Sequence, residues 1–316
     1  MHLVYVFLLS LLVAACSMQH PADSRSAYNP TGINTPLLID GLRPCSAAAE
    51  TELYINRAEP VIVLTHGCLD SAARFTALAD VFAFQGQQAI CFTYNDRDSL
   101  VKSATEMRAA LDQLSEQLDN TDVTVIAHSQ GGLIARKALT DQAALKSSQD
   151  SQKKIALVTI SAPFSGIEAA SHCGSEKWRA ITLGLVNAIC WVISGDKWFE
   201  ITDASEFIQN PGPLAPQLSH HLKIDTNEQG SCRKFGAENE CLESDYVFSL
   251  NEQQLLPVKQ RAEVNRVVVQ AGHTEIVGDV ETPPHKLITI LQQQRIMKET
   301  QPENVDALNT LLSRIY

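Results

Sequence analysis

One serine lies in a context that suits a nucleophile. Ser129 belongs to the run Ala127-His128-Ser129-Gln130-Gly131-Gly132, which follows the β-branched segment Val123–Ile126 and precedes Leu133–Leu139. The first segment is typical of a buried strand and the last of a helix. The small residues at 127 and 131 allow strand and helix to approach closely. We therefore expect a tight, strained turn that exposes the serine hydroxyl at the carboxyl edge of a sheet, where it can attack a carbonyl carbon.

This arrangement resembles the nucleophile elbow of the α/β-hydrolase family, and within that family the lipase and esterase branch. Position 127 is alanine where glycine is commoner, but alanine is also small. The resemblance implies a doubly wound, mostly parallel sheet and a serine, acid and histidine that follow one another in that chain order. The alternative interpretation is an ordinary strand, turn and helix with a chance serine.

A histidine late in the chain fits the general base that the resemblance implies. His273 comes just after Val267–Val269, in the last predicted strand. Its imidazole would take the proton of Ser129 and later return it to the leaving group. Other histidines fit less well because they adjoin the serine, begin a strand or open a helix: His128, His220, His221 and His285.

The acid of the triad has several candidates. Asp245, in Ser244-Asp245-Tyr246-Val247, resembles the Asp-x-Val turn of the family and precedes His273. Asp225 directly ends the strand predicted before it, but a long stretch separates it from the histidine. Glu243 is a further neighbour. We predict that Asp245 orients the imidazole.

An oxyanion hole needs two backbone N–H groups aimed at the developing negative charge. Gln130, next to the serine, offers one. Thr65-His66-Gly67-Cys68 follows a predicted strand and resembles the His-Gly-x loop of lipases, so the N–H of Cys68 is predicted to be the second donor. The Cys68 thiol is disfavoured as a nucleophile because no base is assigned near it.

Strands and helices alternate along the chain in the way that a doubly wound α/β sheet requires. The predicted strands are Val61–Thr65, Gln88–Tyr94, Val123–Ile126, Ile155–Ile160, His221–Ile224 and Arg266–Gln270. The predicted helices span residues 71–85, 99–118, 133–139, 284–298 and 303–315. The hydrolase domain is therefore assigned to residues 58–316.

The alternation stops over residues 165–219, which we interpret as a helical cap inserted above the carboxyl edge of the sheet. Within this stretch, Trp178–Ser194 has a wide apolar arc at helical spacing. Either it is a cap helix buried on the core, or it is a lid that lines a pocket for acyl chains.

The first residues are typical of an export signal. Residues 3–15 are apolar but too few to span a bilayer comfortably. Val13-Ala14-Ala15-Cys16 resembles the bacterial lipoprotein box, which implies a signal peptide over residues 1–15 and a lipid on Cys16. No Lys or Arg precedes the apolar run, so a plain secretory signal is the alternative. Residues 16–57 then hold the anchor, a flexible tether and the start of the domain.

The anchor and the residue after it imply where the protein resides. Ser17, rather than Asp, follows the cysteine, and the resemblance to Gram-negative lipoproteins then implies the outer membrane. We predict an exported protein that is held on a bacterial membrane by lipidated Cys16, either on the periplasmic side or on the surface of the outer membrane.

Composition limits the classes of partner and cofactor. Of 316 residues, 45% are hydrophobic and 19% charged, so a full core is available. The net charge of −11 argues against nucleic acid and against electrostatic binding to anionic lipid. Cysteine and histidine spacings typical of metal sites are missing from the sequence, so we predict no metal and no cofactor.

Eight cysteines fit an oxidising compartment. Cys232 and Cys241 bracket a polar loop and are the first predicted pair. Cys173 and Cys190 are the second. Cys45, Cys68 and Cys91 then hold one bond or none.

The sequence predicts a serine hydrolase that cleaves carboxylic esters, with acyl lipids as the favoured substrates. An acyltransferase, thioesterase or amidase would use the same acyl-enzyme with a different acceptor. A catalytically silent binding module is the alternative outside the enzymes, and the presence of all three triad residues in the right order argues against it.

Overall fold

A computed structural model describes residues 36–46, 52–68, 70–119, 121–140, 154–170, 195–216, 218–255, 264–279 and 282–316. The predicted signal peptide with Cys16, the cysteines 173 and 190, and the apolar segment 178–194 all lie outside these residues. Among the helices that are described, none has the length and apolar character that crossing a membrane requires.

A seven-stranded sheet forms the centre of the domain. Its strands are β1 (Leu42–Arg43), β2 (Val61–Thr65), β3 (Gln88–Phe92), β4 (Val123–His128), β5 (Ile155–Ile160), β6 (Leu218–Asn227) and β9 (Val264–Gln270). They lie in the order β1-β3-β2-β4-β5-β6-β9. Every pairing is parallel except that of β1, which runs antiparallel to β3. The predicted doubly wound, mostly parallel sheet is confirmed.

The strand order creates a crevice at one place. From β2 the chain goes outward to β3, whereas from β4 it goes outward in the opposite direction to β5. Loops that leave neighbouring strands in opposite directions open a gap at the carboxyl edge of a parallel sheet, and ligands bind there. Cys68 follows β2 and Ser129 follows β4, so both lie at this gap.

The central strands are buried on both faces. All five residues of β2 are buried, as are all six of β5. Val61 and Val63 belong to one apolar cluster, whereas Ile62 and Leu64 belong to the other. Alternate residues of a strand point to opposite faces, so one continuous apolar run packs against two layers of helices.

Among the α-helices that are described, five agree with the predictions except at their ends, and a short one, Glu206–Gln209, lies within the stretch 165–219 where no individual helix was predicted near it. The described α-helices are α1 (Thr76–Phe84), α2 (Leu100–Gln117), α3 (Gln130–Ala138), α4 (Glu206–Gln209), α5 (His285–Gln293) and α6 (Val305–Ile315). The first predicted helix begins as a short 3-10 turn, Ala72–Phe75. Helix α5 stops earlier than predicted, because Arg295 takes a left-handed φ of 57° that a helix cannot continue.

Two disulfides are described. Cys232–Cys241, a predicted pair, closes the hairpin of β7 (Cys232–Phe235) and β8 (Cys241–Ser244). Cys45–Cys91 ties the segment after β1 to β3 across a sequence separation of 46 residues. The longer loop restricts the unfolded chain more, by about 4 kcal/mol against about 2.6 kcal/mol in the chain-entropy account.

Candidate active site

The turn between β4 and α3 has the geometry expected of a nucleophile elbow. Ser129 takes φ 55° and ψ −127°, a backbone conformation that costs a non-glycine residue roughly 1–3 kcal/mol. A Cβ on Gly131 would lie 2.3 Å from the carbonyl oxygen of His66. Position 131 must therefore be glycine, because helix α3 begins in contact with the loop after β2. The strain is maintained by this close packing.

His273 connects the serine to an acid. It lies in the turn after β9, and its Nε2 is 3.1 Å from Oγ of Ser129. Its Nδ1 is 2.9 Å from Oε1 of Glu228. The ring of Phe248 packs edge-on against the imidazole, with 4.8 Å between ring centroids. The imidazole is thus held on both nitrogens and on one face.

The carboxylate beside the imidazole is that of Glu228, not that of Asp245. Glu228 directly follows β6 and is 1% exposed. Besides the contact with His273, its Oε2 accepts hydrogen bonds from the N–H groups of Val247 at 2.6 Å and Phe248 at 2.7 Å. Burial by itself would raise the pKa of Glu228. The hydrogen bonds and the charge of His273 outweigh it and hold that pKa below its usual value.

Asp245 binds the backbone of the loop that carries His273. Its carboxylate accepts the backbone N–H groups of Thr274 at 3.0 Å and Glu275 at 2.9 Å, and the Thr274 hydroxyl at 2.6 Å. Its own backbone carbonyl accepts the N–H of His273. A Cβ on Gly272 would lie 2.0 Å from Oδ2 of Asp245. The expectation that Asp245 contacts the imidazole is therefore corrected: the turn after β8 places the carboxylate against backbone.

The other two acids considered also bind elsewhere. Asp225 pairs with the buried Lys223 and accepts Nε of Arg266 at 2.6 Å. Glu243 is partly exposed and pairs with Arg233 at 3.2 Å. Neither carboxylate has a contact with the histidine among the described hydrogen bonds.

Sequence reasoning missed Glu228 because it ended β6 too early. The strand was predicted to stop at Ile224, but it continues to Asn227. Asp225 then lies inside the strand, on the face opposite Thr226. Glu228 is the first acid after the true end of β6, but that end is set by pairing with β9 and not by a local sequence pattern.

A second strained serine completes the surroundings of the acid. Ser161, directly after β5, has φ 47°. Its hydroxyl donates to Oε1 of Glu228 at 2.6 Å and lies 2.9 Å from Nδ1 of His273. The hydroxyl of Thr226 lies 2.7 Å from that of Ser161. Glu228 is therefore fixed by hydroxyl and N–H donors on both of its oxygens.

His128, one residue before the serine, binds the loop of the base. Its Nε2 donates to the backbone carbonyl of His273 at 2.9 Å. Complete burial lowers the pKa of His128 well below its ordinary value, and the neighbouring His273 lowers it further. This histidine is neutral and holds the loop of His273 in place.

The two predicted oxyanion donors lie beside the serine. Gln130 is the first residue of α3, where backbone N–H groups have no acceptor within the helix. Cys68 adjoins Gly67, on which a Cβ would lie 3.0 Å from Cβ of Ser129. Glycine at 67 lets this loop approach the nucleophile. That their N–H groups bind an oxyanion stays a prediction.

Metal ligands are not grouped in the part of the chain that is described: no three His, Cys, Asp or Glu side chains there come together as a possible cation site.

Comparison with known proteins agrees with this fold. Residues 58–176 match a family described as "Alpha/beta hydrolase of unknown function (DUF900)". No curated protein sequence matches the chain. The propeptide form of Bacillus licheniformis lipase BlEst2 is similar at 14% identity and TM-score 0.52, over 78% of this chain and 52% of that one.

Two further lipase structures are similar at lower scores. The mature form of the Bacillus licheniformis lipase has 15% identity and TM-score 0.48, over 81% of this chain and 99% of that one. Staphylococcus hyicus lipase has 13% identity and TM-score 0.47, over 84% of this chain and 99% of that one. The match to the family over residues 58–176 and the similarity at TM-score 0.52 show that this chain has the α/β-hydrolase fold.

Proposed function

We propose that this protein is a serine hydrolase of carboxylic esters, with Ser129 as nucleophile, His273 as general base and Glu228 as the acid that orients it. The observation that carries the proposal is the position of one imidazole between Oγ of Ser129 at 3.1 Å and Oε1 of Glu228 at 2.9 Å. The three side chains come from the ends of three different strands, and the stability of the fold does not require them to be hydrogen-bonded in a row. Acyl transfer by a serine does need it.

The geometry supports a two-step reaction. Nε2 of His273 takes the hydroxyl proton as Oγ of Ser129 attacks the ester carbonyl, and the protonated imidazole then gives that proton to the leaving alcohol. A water molecule, activated by the same nitrogen, then attacks the acyl-enzyme and releases the carboxylic acid product. Glu228 holds the hydrogen on Nδ1, so that Nε2 is the free base, and its negative charge stabilises the imidazolium that forms.

His128 lies beside the general base and carries no charge of its own. Since the pKa of His128 is far below its usual value, that ring stays neutral when His273 becomes charged. A second positive charge 4.7 Å away, the distance between the two ring centroids, would oppose protonation of the base. The neutral ring of His128 therefore adds no positive charge that would oppose this step.

Acyl lipids are the proposed substrates. The support is the apolar sequence of the cap segment 178–194 together with the lipases among the similar structures. The kcat/KM for soluble p-nitrophenyl esters should rise from acetyl to at least octanoyl, because each buried CH₂ of the acyl chain contributes up to about 0.8 kcal/mol of binding free energy. Leu185→Asp or Ile189→Asp should flatten that rise. A wild-type profile that peaks at acetyl would instead indicate a small-ester esterase.

A membrane anchor at Cys16 is also proposed, on the strength of the apolar run and the lipoprotein-like box. The two described disulfides fit an exported protein. Cys16→Ser should release the protein from the membrane fraction, since its acyl chains contribute about 0.8 kcal/mol per buried CH₂. Retention of the variant after a salt wash would contradict the anchor.

Labelling with a fluorophosphonate tests the catalytic proposal directly. The reagent reacts with an activated serine hydroxyl and marks the residue covalently. We expect one modified residue, Ser129, after digestion and mass spectrometry, and no label in Ser129→Ala. Ser165→Ala is the matched control: its hydroxyl donates to the backbone carbonyl of Gln254, and the variant should still be labelled at Ser129. Label on another residue, or none on the folded wild type, would contradict the proposal.

A further inference from the structure

A lysine of the cap is almost completely buried beside the predicted oxyanion hole. Lys197 belongs to the 3-10 turn Gly195–Trp198 and is 2% exposed. An ammonium group removed from water is costly unless its protons are bonded and its charge is balanced. The partners of Lys197 therefore indicate why it is there.

Those partners include both predicted oxyanion residues. Nζ of Lys197 donates to Oε1 of Gln130 at 2.7 Å and contacts Sγ of Cys68 at 3.1 Å. It also donates to the backbone carbonyl of Asp96, whose carboxylate lies 3.8 Å away. Nε2 of Gln130 donates to that same carbonyl at 3.3 Å. One ammonium thus links the loop after β2, the first turn of α3 and the loop after β3.

The turn that carries Lys197 is itself fixed to the domain. The N–H of Asp196 donates to the carbonyl of Arg97 at 2.8 Å. Gly195 has φ 74°, and a Cβ there would lie 2.3 Å from the same carbonyl oxygen. Glu200 accepts the Ser99 hydroxyl at 2.9 Å and the N–H of Leu100, so it caps the start of α2. The lysine is therefore held in position from outside the oxyanion loop.

We propose that Lys197 is a positioning residue for the oxyanion hole, which it assembles by fixing the Cys68 and Gln130 side chains while their backbone N–H groups face the substrate. The inference rests on the proposed serine hydrolase function. In the ground state an ester carbonyl needs little from these N–H groups, whereas the tetrahedral intermediate needs both at the right distance. Loss of Lys197 should therefore slow the chemical step and leave substrate binding nearly unchanged.

The buried lysine of β6 supplies a matched control. Lys223 is 3% exposed and is paired with Asp225, which keeps Arg266 as a second partner. Lys223→Met and Lys197→Met remove the same group from equally buried positions, but only one of them contacts residues beside Ser129. A general effect of losing a buried lysine would appear in both variants.

The experiment compares kcat, KM and the affinity for a trifluoromethyl ketone, which forms a tetrahedral adduct with the serine, in wild type and both variants. For Lys197→Met we expect kcat to fall about 10- to 100-fold, ketone affinity to fall in parallel, and KM to stay within about threefold. Lys223→Met should keep kcat within about threefold of wild type, whatever its melting temperature.

Unchanged kcat in folded Lys197→Met, or equal losses in both variants, would overturn the proposal. If Lys197→Met does not fold, Gln130→Met, which removes the Oε1 acceptor of Lys197 and keeps the backbone N–H of residue 130, is measured in its place under the same criteria. Failure of the underlying function has a different signature: wild type itself would lack fluorophosphonate labelling at Ser129.

Discussion

Two buried carboxylates approach the loop of His273 from different regions and do different things. Glu228, at the end of a central strand, is in contact with the imidazole, whereas Asp245, after the β7–β8 hairpin, binds the backbone of Thr274 and Glu275. Both are almost fully buried. A carboxylate that touches the ring controls its tautomer and charge, whereas one that touches the backbone controls where the loop lies.

Burial and proximity to the loop of His273 are therefore not enough to identify the acid of the triad. Asp245 has the more familiar sequence context, but hydrogen-bond donors of the loop satisfy its carboxylate. Glu228 comes from β6, a strand whose carboxyl end lies at the same sheet edge as that of β4. The rigid sheet brings its carboxylate to the imidazole. Substitutions can separate the two roles.

Ser129→Ala sets the scale for both carboxylates. Removing the nucleophile should lower the rate of hydrolysis of short acyl esters by a factor on the order of 10³–10⁶, with the melting temperature preserved. The measurement is steady-state kinetics on the purified variant, with circular dichroism as the check on folding. Near wild-type turnover would mean that Ser129 is not the nucleophile, and the roles assigned to Glu228 and Asp245 would then be wrong as well.

Glu228→Gln should produce the next largest loss. The amide cannot stabilise the imidazolium and can favour the wrong tautomer, so we expect kcat to fall by a factor on the order of 10³–10⁴. KM should change little because the ester does not bind this side chain. A single-turnover burst with p-nitrophenyl acetate gives the acylation rate.

Asp225→Asn is the control for the charge change on β6, and it should keep kcat within about an order of magnitude of wild type. If that variant were crippled and Glu228→Gln mild, the assignment of the acid would be reversed.

Asp245→Asn should act mainly on stability. Loss of charge-assisted hydrogen bonds to the Thr274 and Glu275 N–H groups should lower the free energy of unfolding by about 1–3 kcal/mol. The rate should fall far less than in Glu228→Gln, about tenfold. Urea unfolding gives the first quantity and kcat the second.

Glu243→Gln is the surface control for that variant, since its partly exposed ion pair with Arg233 is worth under about 1 kcal/mol. A loss of rate in Asp245→Asn as large as that in Glu228→Gln would erase the distinction between ring and backbone contacts.

The last expected effect is on stability alone and concerns a histidine outside the site. Burial, followed by the charge of Arg136, lowers the pKa of His221 to about 3. Because the unfolded chain binds the proton more readily, this contribution to stability is complete above about pH 6.5 and is lost as the pH falls toward 3. The slope from this one group is at most about 1.4 kcal/mol per pH unit.

His221→Gln should flatten the pH dependence of the free energy of unfolding between pH 6 and 4, which chemical denaturation at several pH values measures. Equal slopes in wild type and His221→Gln would mean that His221 does not take up its proton on unfolding in this range.

Much of the fold was predictable because it follows from local patterns. β2 and β5 have the predicted bounds, since continuous apolar runs between polar turns are typical of strands buried on both faces. The elbow was also predictable, because its small residues and its place between strand and helix are local features. The Cys232–Cys241 disulfide was predicted from a short bracketed loop, and it is confirmed.

The acid was not predictable in the same way. The end of β6 depends on pairing with β9, which continues to the pair of Asn227 and Gln270. No local pattern marks that end, because Asp225 and Thr226 look like the start of a turn. Cys45–Cys91 was likewise left open, since its two cysteines meet only when β1 pairs with β3.

The sequence by itself determined which segments are helices and strands, their order along the chain, and the identity of the candidate nucleophile and base. Each of these depends on residues close together in the chain. Only the tertiary structure decided which carboxylate meets the imidazole and which lysine meets the oxyanion residues. Those contacts join strand ends and loops far apart in the chain: 45 residues separate Glu228 from His273, and 67 separate Gln130 from Lys197. The physical reason is that a hydrogen bond requires a particular distance and direction, and only the packed sheet provides them.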